Sequence, residues 1–474
     1  MLLTLTLSVA LARPTDGSGM WTYDESDTIV SWDAPGGRVR VWYSTSGTNA
    51  VLATDADSDG TPDFVEDVGV TAEEVLDGFR ALGVDGPLPD HGVGGDDRLD
   101  AYLVDFAGNA DGNWATEGCD GSACYGYFQM ENDFSGYGYP SVDSAVRVLT
   151  SHELFHGVQA AYGSTDAVWF LEGTATWAED YFEPEIEDFL DLCGGYLDDT
   201  GRSLNEPPSG PVPAFAYGTA IWWWFLTDRY GDDAMVDLLY AMGDSTDDDS
   251  LLAGMEAVEV AHGGTLHDDW VTFGEWNLAT GVRAGTVESY PFAGELRGIK
   301  AEADGASVQD ENRFYPLSTT YYMVETEAET PLWVATDAEG ADLVLEVFPV
   351  EDNGDMGEKI ATLAADAQAH DLGVSAPGKY WLMVSNPTLA ANSTKLTVCF
   401  GAEADAAACA AMDDTGGDTA DTGGDTADSG DAAGADTDTG GETPGGCACD
   451  HGGAPPSLAA GLAGAALILT RRRR

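Results

Sequence analysis

Basic side chains are scarce in this chain: 19 Lys and Arg stand against 84 Asp and Glu over 474 residues, a formal charge of −65 at pH 7. A surface of that sign argues against nucleic acid and anionic membrane as partners, because it repels phosphate. It favours a soluble, salt-tolerant body that attracts cations. Only twelve of the acidic residues lie between 402 and 446, leaving 72 elsewhere, so the folded part is acidic as well. Histidine is also rare, at seven residues, so a close pair of imidazoles carries weight.

The first residues lack the Lys or Arg of a typical leader. Even so, Met1 to Ala12 form a short apolar run that ends in the small-x-small pattern Ala10-Leu11-Ala12, read here as a signal peptide cut after Ala12. Seven cysteines suit an exported protein. Cys119 and Cys124 are close enough to staple a loop, Cys399 and Cys409 are placed to close a later domain, and Cys193 has no evident partner. Spacing alone does not fix their connectivity.

With 43% hydrophobic residues the chain can bury a substantial core, and its length calls for two or more units. Residues 13–295 mix strand and helix signals. Arg38–Ser44 alternates like a half-buried strand, and Leu99–Asp105 is a second candidate. Amphipathic patterns then predict helices over Val142–Tyr162, Val168–Phe182, Tyr217–Tyr230 and Asp232–Met242, with Gly231 as a stop. Strands followed by helices indicate an α+β domain. Between 300 and 400 short β-rich runs recur between turn residues: Thr319–Glu325, Leu332–Thr336, Leu343–Phe348, Lys379–Ser385 and Lys395–Phe400. They predict an all-β sandwich.

Residues 401–446 read as a linker, and from 412 they are an Asp/Thr/Gly/Ala repeat that cannot build a core and is expected to be disordered. The last segment, 447–474, joins Cys447-Ala448-Cys449 to an apolar stretch over Ala454–Thr470 and to Arg471–Arg474. Its apolar length is at the low end of what spans a bilayer, and the Arg cluster matches a cytoplasmic stop. This arrangement resembles the MYXO-CTERM sorting signal. The resemblance implies a sorting protease acting near the cysteines and display at a bacterial cell surface or outer membrane, with possible release outside the cell. A simple membrane anchor is the competing reading.

The chemistry centres on His152-Glu153-Leu154-Phe155-His156. Residues four apart share one helical face, so His152 and His156 can offer two imidazoles to one metal ion with Glu153 beside them. A catalytic zinc also needs a third ligand and an open position for water. Glu172, sixteen residues after His156, is the candidate third ligand, because Gly163-Ser164-Thr165-Asp166 lets the chain reverse before the next helix. Thr176 and Glu179 are placed one and two turns beyond it to orient an imidazole.

With Glu172-Gly173-Thr174-Ala175 the pattern resembles the gluzincin metallopeptidases. Gln159 and Tyr162 stand where a metzincin has Gly and His. More closely, the chain resembles the MXAN_6640-type metallopeptidases. That likeness rests on Tyr43–Gly47, Asp57–Asp63, Gly94–Asp100, the His152–His156 helix, Glu172–Asp180 and Ala216–Ala220. It implies a zincin-like domain over 13–295, zinc on His152, His156 and Glu172, and Glu153 as general base for a metal-activated water. It also points to Tyr217 as an oxyanion donor, since related peptidases use a tyrosine from beyond the glutamate helix. His262 and His267 are further residues within possible reach of the cleft. Zinc peptidases bind substrate along an edge strand, for which Tyr125–Met130 is the candidate. The β-sandwich resembles prepeptidase-type C-terminal domains.

A second cation site is written in residues 55–66. Asp55, Asp57, Asp59, Gly60, Asp63 and Glu66 match positions 1, 3, 5, 6, 9 and 12 of an EF-hand loop, with Thr61 at the backbone-carbonyl position. Pro62 departs from the usual aliphatic residue and has no N–H to pair with a second loop, so a solitary calcium site is expected. The leading expectation is a secreted or surface-anchored zinc metalloendopeptidase acting on a protein or peptide substrate. The alternative is a catalytically inactive zincin-like adhesin or binding protein.

Overall fold

The computed structural model describes residues 13–17, 21–210, 212–327, 329–389 and 392–411. The expected leader at 1–12, the repeat from 412 and the Cys-apolar-Arg segment at 447–474 lie outside the described residues. The architecture is mixed α and β, with a β-rich region after residue 300.

The first sheet is built from β1 (Ile29–Asp33), β2 (Val39–Ser44), then, after α1 (Asp63–Leu82), β3 (Leu99–Val104), β4 (Gly112–Asp120) and β5 (Ala123–Glu131). Its order is β1-β2-β3-β5-β4; β2, β3 and β5 run parallel, and each outer strand is antiparallel to its neighbour. Alternation does the work in β2, where Val39, Val41 and Tyr43 are buried against the helices while Arg40 and Trp42 face the other way. Helix α1 answers with Phe64, Val68, Val75 and Phe79 at helical spacing.

Tyr125–Met130 is not an edge strand. It lies within β5, paired on both sides, because the hairpin closed by Cys119–Cys124 folds β4 back across it and leaves β4 as the outer strand.

Two helices then run where the sequence periodicity puts them: α2 (Val142–Tyr162) and α3 (Val168–Phe182). Ser141 caps α2 by accepting the Ser144 N–H. After α4 (Asp188–Leu197), the helix expected over Tyr217–Tyr230 is broken in two, α5 (Ala214–Gly218) and α6 (Ala220–Tyr230). Thr219 marks the break: its hydroxyl lies 2.6 Å from the Trp169 carbonyl and 2.7 Å from that of Ala216. Helices α7 (Asp233–Asp244), α8 (Asp248–Ala261) and α9 (Leu266–Leu278) complete this half. Gly231, at φ 91°, stops α6 as its sequence position suggests.

The β-rich region contains β6 (Ala303–Gly305), β7 (Val308–Phe314), β8 (Ser318–Thr326), β9 (Leu332–Thr336), β10 (Glu339–Pro349), β11 (Ala361–Asp366), β12 (Ala369–Asp371), β13 (Gly378–Asn386) and β14 (Thr394–Ala402). They form two sheets, β11-β10-β13-β8-β6 and β12-β9-β14-β7. Val324, Val347 and Leu382 of one and Val334, Val398 and Phe400 of the other share a single core. The expected linker does not begin at 401. Strand β14 continues to Ala402, and α10 (Glu403–Ala410) follows, with Cys409 bonded to Cys399. Ala406 and Cys409 are buried against β9 and β14, which is apolar contact enough to hold a short helix.

The two regions share packing: Leu317, Tyr321, Trp381 and Met383 belong to the core of the first. Among the described residues no helix is long and apolar enough to cross a membrane.

Arg13 is buried at the outer end of β4. Its guanidinium meets Asp90 and Glu117 at 2.5 Å each, pairs with Asp100 and touches the Tyr102 hydroxyl at 3.1 Å. Burial opposes its charge, but the bond to Glu117 and the surrounding acids outweigh that and raise its pKa. One cation thus joins β3, β4 and the loop before β3.

Candidate metal centre

Helix α2 is buried on nearly every side from Ala145 to Gln159, so its imidazoles are held by packing rather than by solvent. His152 and His156 are one turn apart, their ring centroids separated by 4.8 Å. The chain reversal before α3 brings Glu172 against them. His152 Nε2 lies 3.3 Å and His156 Nε2 3.7 Å from Glu172 Oε2. Two donors each about 2.1 Å from a tetrahedral metal are separated by about 3.4 Å, so this triangle has the size of a zinc ligand set.

What surrounds the triangle fixes its tautomers. His152 Nδ1 faces Glu179 Oε1 at 2.6 Å, and His156 Nδ1 faces Gln159 Oε1 at 2.8 Å. The Gln159 amide donates to the Leu171 carbonyl and to Thr174 Oγ1, which in turn donates to the Phe170 carbonyl. That chain points the Gln159 oxygen at His156, so Nδ1 must carry the proton and Nε2 presents a lone pair. His156 Nε2 and both Glu172 oxygens are buried without hydrogen bonds. Buried polar atoms left in that state are what a cation would satisfy. Burial acts to raise the Glu172 pKa, but without a metal the two imidazoles, when protonated, outweigh it and hold the carboxyl below its ordinary value.

Glu153 is fully buried beside the start of β4. A Cβ on Gly112 would stand 2.4 Å from Glu153 Oε1, so only glycine allows the strand to approach this carboxylate. Burial pushes the Glu153 pKa up, the imidazoles pull it down, Glu172 and Asp111 push it up again, and the net is about 7. Gly173 plays the matching role in α3: a Cβ there would meet Thr219 Oγ1 at 2.1 Å, so it lets the α5–α6 corner cross beside Glu172. That corner carries Tyr217, whose ring centroid is 5.9 Å from that of His152 and whose hydroxyl is buried.

The structure therefore brings together His152, Glu153, His156, Glu172 and Tyr217. Glu179 orients an imidazole; the Thr176 hydroxyl makes no hydrogen bond and takes no such part. Gln159 orients the other imidazole, a role its position three residues after His156 could have signalled. His262 and His267 do not join the cluster: they pair with Asp237 and Asp268 on α7 and α9.

In the acidic loop Asp55, Asp57 and Asp59 come within 4.8 Å of one another. Their carboxylates accept loop N–H groups, Asp55 from Ser58 and Gly60, Asp57 from Asp59, and Asp59 from Thr61. Asp63 is turned aside, accepting the Ala56 N–H at 3.0 Å as it opens α1. Glu66, one turn into α1, has its pKa raised by slight burial and by the charges of Asp59, Asp57, Asp63 and Asp55.

No family model matches this chain, and no curated protein matches it. Solved structures that match include the periplasmic g-type lysozyme inhibitor PliG of Aeromonas hydrophila, at 14% identity over 22% of this chain and 96% of that one. Its TM-score of 0.15 is too low to carry an argument about fold or role.

Proposed function

We propose that the chain is a zinc-dependent metalloendopeptidase with a zincin-like domain, exported and held at the cell surface, followed by a β-sandwich domain. The observation that carries this reading is the buried triangle of His152, His156 and Glu172, with His156 Nε2 and both Glu172 oxygens lacking hydrogen bonds and with its two oriented imidazoles. A zinc ion there would supply a Lewis acid that activates water and polarises a carbonyl. Glu153, beside the triangle and with its pKa near neutrality, suits a general base that accepts the proton of the attacking water and returns it to the leaving amine. The Tyr217 hydroxyl is the candidate donor to the oxyanion. Strand β4, whose Gly112 end touches Glu153, replaces Tyr125–Met130 as the candidate peptide-binding edge.

Calcium on the 55–66 loop is a second proposal, carried by the convergence of Asp55, Asp57 and Asp59. Its test is calorimetric titration of the full chain, with binding expected in the wild type and lost in Asp57→Ala.

Sealing of the metal-facing atoms favours one competing reading, a structural metal in an inactive surface protein. Metal analysis together with peptide-library cleavage by wild type and Glu153→Gln separates the two. Cleavage by the wild type and none by Glu153→Gln, with equal zinc in both, supports the peptidase. Equal zinc with no cleavage by either supports the structural site.

A further inference from the structure

The residues that would face metal and substrate are buried: His152, Glu153, His156, Glu172 and Tyr217 are each at most 4% exposed. His156 Nε2, both Glu172 oxygens, Glu153 Oε2 and the Tyr217 hydroxyl expose less than 1 Å² each. A peptide cannot reach them unless part of the wall moves. The walls supplied by α2, α3, α5 and β4 are regular elements. A different kind of chain runs from Asn132 to Ser141 between β5 and α2, and it carries Ser135-Gly136-Tyr137-Gly138-Tyr139-Pro140. Ser135, Gly136, Gly138 and Pro140 are exposed, while the two tyrosines turn inward.

Those tyrosines tie the segment to the strand that borders Glu153. Tyr139 donates to Asp111 Oδ2 at 2.6 Å, and Tyr137 donates to the Ala110 carbonyl at 2.5 Å and contacts Glu131 Oε2 at 3.1 Å. Asp111 is fully buried and immediately precedes Gly112, the residue on which Glu153 rests. The Tyr139 hydroxyl is raised well above its ordinary pKa by burial, then by the charges of Asp111, Asp188 and Glu179, so it stays a donor at any working pH. Glu179 is the residue that orients His152. The exposed glycine-rich loop is thus bonded to Asp111, the chain neighbour of the glycine that lies against Glu153.

We propose that residues 132–141 form a gate over the metal site, latched shut by the hydrogen bond from Tyr139 to Asp111 and steadied by Tyr137 on Ala110. Opening breaks the hydroxyl contacts of Tyr137 and Tyr139, while Asn132 on the Thr48 and Ala50 carbonyls and buried Phe134 hold one end of the segment and Ser141, the cap of α2, holds the other. Gly136 and Gly138 supply backbone freedom beside the latch. The inference rests on the metal-site reading, and it assigns Tyr139 and Asp111 a gating role, distinct from contact with substrate.

The test is the rate at which the metal-free full-length protein takes up zinc, and the rate at which a chelator removes it, in wild type, Tyr139→Phe and Tyr137→Phe. Tyr139→Phe is expected to speed both rates about tenfold or more, from loss of a charge-assisted hydrogen bond. Tyr137→Phe should speed them less, with melting temperatures close to wild type in both. Amide exchange should rise within 132–141 alone. Zinc exchange at one rate in all three proteins would overturn the gate while leaving the metal site standing. Failure of the wild type to take up zinc at all would overturn the metal reading and the gate with it.

Discussion

The Glu153 carboxylate sits between opposing influences, burial that raises its pKa and imidazoles that lower it, and the balance stands at about 7. A general base works only when ionised, so hydrolysis should fall as pH drops through the Glu153 pKa. A bound cation keeps both imidazoles neutral and replaces their pull with its own stronger one, so the acid limb of the kcat/KM profile belongs below about pH 7. Glu153→Gln should lower kcat by about 10²- to 10⁴-fold and flatten that limb. At the ligands, Glu179→Ala removes the acceptor that fixes His152, and zinc affinity should weaken about 10- to 100-fold in a competition titration. The helical spacing of His152 and His156 and the turn before Glu172 were legible in the sequence because both follow from local geometry. The role of Gln159 is only half legible there: its spacing from His156 is local, but its orientation depends on Leu171 and Thr174, which reach it only when α3 packs on α2.

Elements are held in place by buried charge in two instructive ways. Arg13 joins β3 to β4 through Asp100 and Glu117, and removing it would leave three buried acids without their cation. Arg13→Ala should therefore cost about 3–5 kcal/mol in a denaturant titration. The opposite case lies between α8 and α9. Glu259 is buried with neither oxygen hydrogen-bonded, and burial followed by the charge of Asp269 pushes its pKa up to about 10. The folded state then keeps a proton that the unfolded chain releases near its ordinary value of 4.5. Stability from this group is full below pH 4.5 and declines up to about pH 10, by the order of a few kcal/mol. Thermal melts across that range should show the decline, and Glu259→Gln should reduce it.

Element boundaries were legible where periodicity was local: α2, α3 and most strands after 300 fall where hydrophobic spacing puts them. The break at Thr219 and the interior position of β5 were not, since one depends on the Trp169 carbonyl and the other on where a hairpin folds back.

At the scale of the whole molecule, most of the −65 charge falls on residues 13–411, which hold 73 of the 84 acidic and 15 of the 19 basic residues. Self-repulsion of that size is screened by salt, so melting temperature should rise by several degrees between 0.05 and 1 M NaCl. The two regions share a core through Leu317, Tyr321, Trp381 and Met383, and the Arg283 guanidinium lies 4.6 Å over the Trp381 ring. Composition announced two textures of chain but gave no sign of how tightly they join, because the joining residues look like ordinary core in either half. The central claim is that the triangle of His152, His156 and Glu172 holds a zinc ion that works with Glu153. The most direct measurement is zinc content and peptide-library cleavage in wild type and Glu153→Gln, side by side. One zinc per chain in both, with cleavage confined to the wild type, is the expected result; cleavage undiminished in Glu153→Gln, or a wild type that holds no zinc, would contradict it.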